Sequence, residues 1–180
     1  MKDQLLKQAK HESSAGKRIT ALMIEGIFFL GVLPAALVHF SARLDHQLGL
    51  PRLALGVINT VLGCAFVVAG ILLAWWTIYV QFTVGRGTPV PVMATQQLII
   101  QKPYDYCRNP MALGAIVLYI GVAILIGSIS AVVLVLAFAA LLLVYIKLLE
   151  QKEMELPFGE AYREYRRQTP FIIPRLRKTG

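Results

Sequence analysis

YDYCRNPMALG, residues 104–114, carries the chain from a polar loop into hydrocarbon, with Arg108, Asn109 and Pro110 on the boundary. An arginine in that position needs a partner, because a charge taken from water without one is costly. Apolar residues run from Met111 to Ile126, a turn follows at Gly127, Ser128, Ile129 and Ser130, and a second apolar run ends at Leu149. Each leg is close to the ~20 residues that a helix needs to cross a bilayer. A hairpin of that kind brings Glu150 back to the depth of Arg108, on the same side of the membrane.

The rest of the chain agrees with a membrane setting. Of 180 residues 57% are hydrophobic, and the mean hydropathy is +0.63. Ile19 to Phe40 and Leu53 to Phe82 are two further long apolar stretches. The expected fold is therefore an all-α integral membrane protein of about four transmembrane helices with a cytoplasmic C-terminal helical segment. Residues 1–180 form a single membrane domain in this reading: a cytoplasmic arm at 1–18, two spans within 19–82, and a loop, helical hairpin and tail over 83–180. The net charge of +8 is a topology signal. Of the 18 Lys and Arg residues only Arg43 and Arg52 fall between the first two spans, so the positive-inside rule puts both termini and the Arg108 loop in the cytoplasm. Nucleic acid is not an expected partner. Two cysteines, Cys64 and Cys107, offer neither a disulfide framework nor metal spacing.

Several local features raise alternatives. Glu25 lies about two turns inside the first span, where a carboxylate is functional, or else snorkels or meets a basic loop residue. Pro34 predicts a kink. Gly56, Gly63 and Gly70 recur every seven residues and predict close helix packing, as do Gly114 and Gly121. GRGTPVP, residues 85–91, lacks the spacing of a dinucleotide fingerprint and reads as an ordered turn. Phe158, Tyr162 and Tyr165 share one face of a short helix, which caps a pocket or, the reading favoured here, lies on lipid headgroups. Asn109 and Pro110 also have a plain explanation, since asparagine caps helices and proline suits the first helical position. Arg108 can equally anchor its loop to headgroups.

KPYDYCRNPMALG, then a hairpin, then EQKEMELPFGEAYREY resembles the carboxyl-terminal half of the isoprenylcysteine carboxyl methyltransferase and phospholipid methyltransferase superfamily. The resemblance runs from about Gly85 to Pro174 and departs from the usual pattern at Lys102, Ala112 and Gln151. It implies S-adenosylmethionine at the cytoplasmic membrane surface and a lipophilic acceptor that enters from the bilayer. By position it implies a cofactor and reaction site at Pro103, Tyr104, Arg108, Asn109, Pro110 and Glu150, with Arg108 and Glu150 catalytic. Arg108 would offer its fork to a carboxylate. Glu150 would accept from ribose hydroxyls or hold Arg108. Leu98, Ile99 and the Tyr162 face would form the adenine slot. With no clear base near Arg108, a prenylcysteine-type carboxylate or a thiol is the expected acceptor. A phospholipid amine, a membrane reductase and a non-catalytic membrane scaffold are the competing readings.

Overall fold

The computed structural model describes residues 15–85 and 97–175, with the side chains of Ala15 and of residues 149–153 left out. All regular structure among these residues is helical. The first long helix has three parts: α1, Ala15–Ile27; a π-helical turn, Phe28–Val32; and α2, Leu33–Leu48. α3 spans Val57–Val80 and ends in a second π turn, Gln81–Gly85. α4, Pro110–Ile126, and α5, Ile129–Tyr145, form the hairpin, and a third π turn, Ile146–Glu150, leads into α6, Gln151–Gln168. Three helical stretches, Gly16–Leu48, Val57–Gly85 and Ile129–Leu148, are long and apolar enough to cross a membrane; α4 is shorter. The chain is an all-α integral membrane protein.

The first helix is longer than its apolar stretch, because the polar SARLDHQL segment continues the helix to Gly49, whose φ of 63° stops it. The expected irregularity near Pro34 is present as the π turn just before it. There the Leu33 N–H bonds to the Phe28 carbonyl, a wide register that Pro34, with no N–H, cannot continue. The Phe29 carbonyl left without that donor accepts from the Tyr119 hydroxyl at 2.7 Å, which fastens the π turn to α4.

α3 and α4 form the tightest contact in the bundle, and glycines permit it. A Cβ on Gly70 would lie 2.5 Å from the Leu118 amide nitrogen, and one on Gly121 would lie 2.6 Å from that of Val67. Gly63 meets the Gly121 carbonyl in the same way. Gly56 departs from the expected row: it precedes α3 at φ 62°, and a Cβ there would have nothing within 4 Å. Away from the Arg108 end, polar groups lock the loops. Ser128 caps α5, Asp45 accepts from the Ser130 amide at 3.0 Å, and Asn59 donates to the Ile124 carbonyl at 3.1 Å.

α1 stands apart from this packing. Among the described residues its backbone comes close only to the adjoining π turn, whereas α2 packs on α4 and α5. A cleft is left between α1 and α3, bridged where the Arg18 guanidinium covers the Phe82 ring and donates to the Phe82 carbonyl.

Candidate functional site

Behind that cleft lies a cavity of about 510 Å³. Its polar end is built by the 98–112 segment. Pro110 opens α4, and the turn before it is held by a cis Lys102–Pro103 peptide and by Tyr104 N–H to Gln101 O and Tyr106 N–H to Pro103 O bonds. Pro103, expected at the site from the sequence, is fully buried in this turn and does not line the cavity. Leu98, Ile99, Tyr104, Arg108, Asn109, Pro110 and Ala112 all line the cavity.

The segment following α6 straps the turn in place. The Arg108 amide donates to Pro170 O at 2.9 Å, Arg108 Nε to Thr169 O at 3.1 Å, and Asn109 Nδ2 to Phe171 O at 2.8 Å. The Arg175 amide donates to Tyr106 O at 3.0 Å, and the Phe171 ring lies 5.5 Å from the Arg108 guanidinium carbon. Asn109 does occupy the N-cap position, but its side chain makes no cap bond and reaches the strap instead. The plain helix-cap explanation therefore covers its backbone only.

α6 bends at Gly159, φ 51°, which turns its second half over the site. Tyr162 and Tyr165 are 5% and 6% exposed and line the cavity, so the aromatic face points inward and not onto headgroups, as the sequence had suggested. A hydrogen-bonded relay follows: the Tyr165 hydroxyl donates to Tyr104 O at 2.7 Å, and the Tyr104 hydroxyl donates to Gln81 Oε1 at 2.8 Å. Burial, with Tyr104 nearby, pushes the Tyr165 hydroxyl well above its usual range, so it acts as a neutral donor. Burial likewise raises the Cys107 thiol, which is 1% exposed.

Arg108 is the electrostatic centre of this end. Nε is bonded to the strap, yet Nη1 is buried with no hydrogen-bond partner among the described residues. An orphaned guanidinium donor on a cavity wall suits an anionic group of a ligand, and a carboxylate matches its geometry best. The expected Glu150 partnership lies outside the described side chains, since only the backbone of Glu150 is placed, at the end of the third π turn. The GRGTPVP turn beyond Gly85 also lies outside the described residues.

The remaining wall is apolar and lies along the bundle: Phe29 and Leu30 in the first π turn, Ile71 and Ala74 on α3, Leu118 on α4, Phe138 and Leu142 on α5. One residue on it was not foreseen as part of this site. Glu25 of α1 lines the same cavity as Arg108, and both its carboxylate oxygens are buried. Its position in the sequence marked it as unusual; only the folded chain shows which wall it joins.

Fold and site together define an integral membrane protein with a cavity that is polar at the Arg108 end and lined by apolar side chains along the bundle. A family model for phospholipid methyltransferases matches residues 58–161. The chain belongs to that family, within the superfamily of integral membrane methyltransferases. Neither the curated proteins nor the solved structures gave a significant match.

Proposed function

We propose that the protein transfers a methyl group from S-adenosylmethionine to a lipophilic acceptor that reaches the cavity sideways from the bilayer. The observation that carries this reading is the cavity shared by the Arg108 end and the apolar wall along the bundle. S-adenosylmethionine supplies, when bound, a methyl on a sulfonium centre. The residues present fit it: Arg108 Nη1 is an orphaned donor for its carboxylate, and Leu98, Ile99, Tyr162 and Tyr165 offer an apolar and aromatic slot for its base. Tyr104 and Asn109 fix the turn that holds Arg108, and Pro103 and Pro110 set its shape. Glu150 is assigned to ribose by position in the motif.

Catalysis of this kind depends on alignment more than on acid or base strength. The strap and the tyrosine hydrogen bonds together give such rigidity. The cleft between α1 and α3 is the natural entry for an acyl or prenyl chain, which lies along Phe29, Leu118 and Phe138. Both termini are assigned to the cytoplasm by the distribution of Lys and Arg.

S-Adenosylhomocysteine binding, followed by calorimetry in detergent, tests the reading. Wild type should bind, and Arg108→Ala should lose at least about tenfold in affinity, as expected for removal of a charge-assisted hydrogen bond worth roughly 1.5–3 kcal/mol. Well-folded wild type that binds no S-adenosylhomocysteine would sink it.

A further inference from the structure

Sequence alone favours a carboxylate or thiol acceptor because it shows no base near Arg108; the fold brings Glu25 to the same cavity. It is the one acidic side chain among the described residues of the cavity wall. Its depth follows from the helices. Tyr119, which reaches Phe29, lies nine residues past Pro110, about 14 Å along α4; Glu25 precedes Phe29 by four residues, about 6 Å. Glu25 is thus on the order of 8 Å deeper than the start of α4, between the Arg108 end and the hydrocarbon-lined end. A headgroup drawn in from the bilayer, with its chains along Phe29, Leu118 and Phe138, passes this level. Glu25 also falls outside the matched residues 58–161, so the family match assigns it nothing.

We infer that Glu25 is the residue that receives the acceptor's ammonium and takes its proton before methyl transfer, and that its charge disfavours a carboxylate acceptor here. This rests on the methyltransferase reading above. A carboxylate acceptor would meet a like charge in a low-dielectric cavity, whereas an ammonium meets an opposite one. Glu25 already takes part in a polar interaction in the structure, so the ammonium enters by exchange. The chemistry balances. The Glu25 carboxylate accepts one proton from the protonated amine, which leaves a neutral amine and a neutral acid, the pair that hydrocarbon surroundings favour over two buried charges. The amine lone pair then forms the N–C bond as the C–S bond of the sulfonium donor breaks, its electrons staying on sulfur as a thioether. The N-methylammonium product leaves, and Glu25 gives its proton to water.

The test uses the full chain in bicelles doped either with dioleoylphosphatidylethanolamine or with an S-farnesylcysteine peptide. Methyl transfer is measured for wild type, Glu25→Gln and Glu25→Asp, and S-adenosylhomocysteine binding is measured in parallel. Wild type should methylate the amine lipid and leave the peptide carboxylate unmodified. Glu25→Gln should bind S-adenosylhomocysteine within about twofold of wild type yet lose about 10²-fold or more in kcat on the amine, and Glu25→Asp should recover part of it. Amine methylation by Glu25→Gln at the wild-type rate overturns the inference, as does a wild type that binds S-adenosylhomocysteine but methylates the peptide and not the lipid, or neither. Should Glu25→Gln not fold, the acceptor preference of wild type and the Glu25→Asp rate decide alone. Absence of S-adenosylhomocysteine binding by wild type overturns the methyltransferase reading instead.

Discussion

Asn109 separates two roles that one residue can hold. Aspartate caps helix starts as well as asparagine does but has no amide N–H to give to Phe171 O. Asn109→Asp should therefore leave α4 intact by circular dichroism while costing about 1 kcal/mol of stability and weakening S-adenosylhomocysteine binding. Unchanged thermal unfolding and affinity would show that the strap bond is dispensable. Cys107 makes a prediction in pH. Because burial raises its thiol in the folded chain, the unfolded chain ionises first as pH rises. Its contribution to stability is then constant below the usual thiol range and falls above it; alkylation by iodoacetamide at pH 8 should be slow until denaturant is added. At this scale the grouping of the motif residues was legible, though not their roles: Leu98, Ile99, Tyr104, Arg108, Asn109, Pro110 and Tyr162 line one cavity, and Pro103 does not. The partners of Arg108 were not, since Thr169 and Pro170 offer backbone carbonyls, which any sequence would carry.

Among the helices, the contact between α3 and α4 rests on the absence of side chains. Gly70→Ala sets a methyl against the Leu118 backbone, which cannot rotate away, and should destabilise the bundle by about 1–3 kcal/mol. Gly31→Ala, with nothing within 4 Å of the new atom, should be close to neutral. Thermal unfolding in detergent compares the two; equal midpoints would mean that α3 and α4 pack less closely than this. The seven-residue spacing foretold Gly63, Gly70, Gly114 and Gly121, but Gly56 kept the spacing while serving a turn. Spacing reports a helix face only where the helix exists. Tyr162 and Tyr165 illustrate the converse limit: periodicity showed that they share a face, and the bend at Gly159 decided which way that face looks.

For the molecule as a whole, the charge pattern predicts orientation. Gln47→Cys should react with a membrane-impermeant maleimide added from outside, and Gln168→Cys only after permeabilisation; the reverse pattern would invert the protein and its site. The number of helices was legible from hydropathy, while the separation of α1 from the bundle was not, because it depends on a π turn and on a hydroxyl donated from α4. One dimension has a consequence for the surrounding lipid. α4 has 17 residues and rises about 25 Å, less than the ~30 Å of hydrocarbon in an ordinary bilayer. With polar groups at both of its ends, a bilayer would match its length by thinning locally. Such thinning would bring a lipid headgroup closer to the level of Glu25 without taking it out of its leaflet.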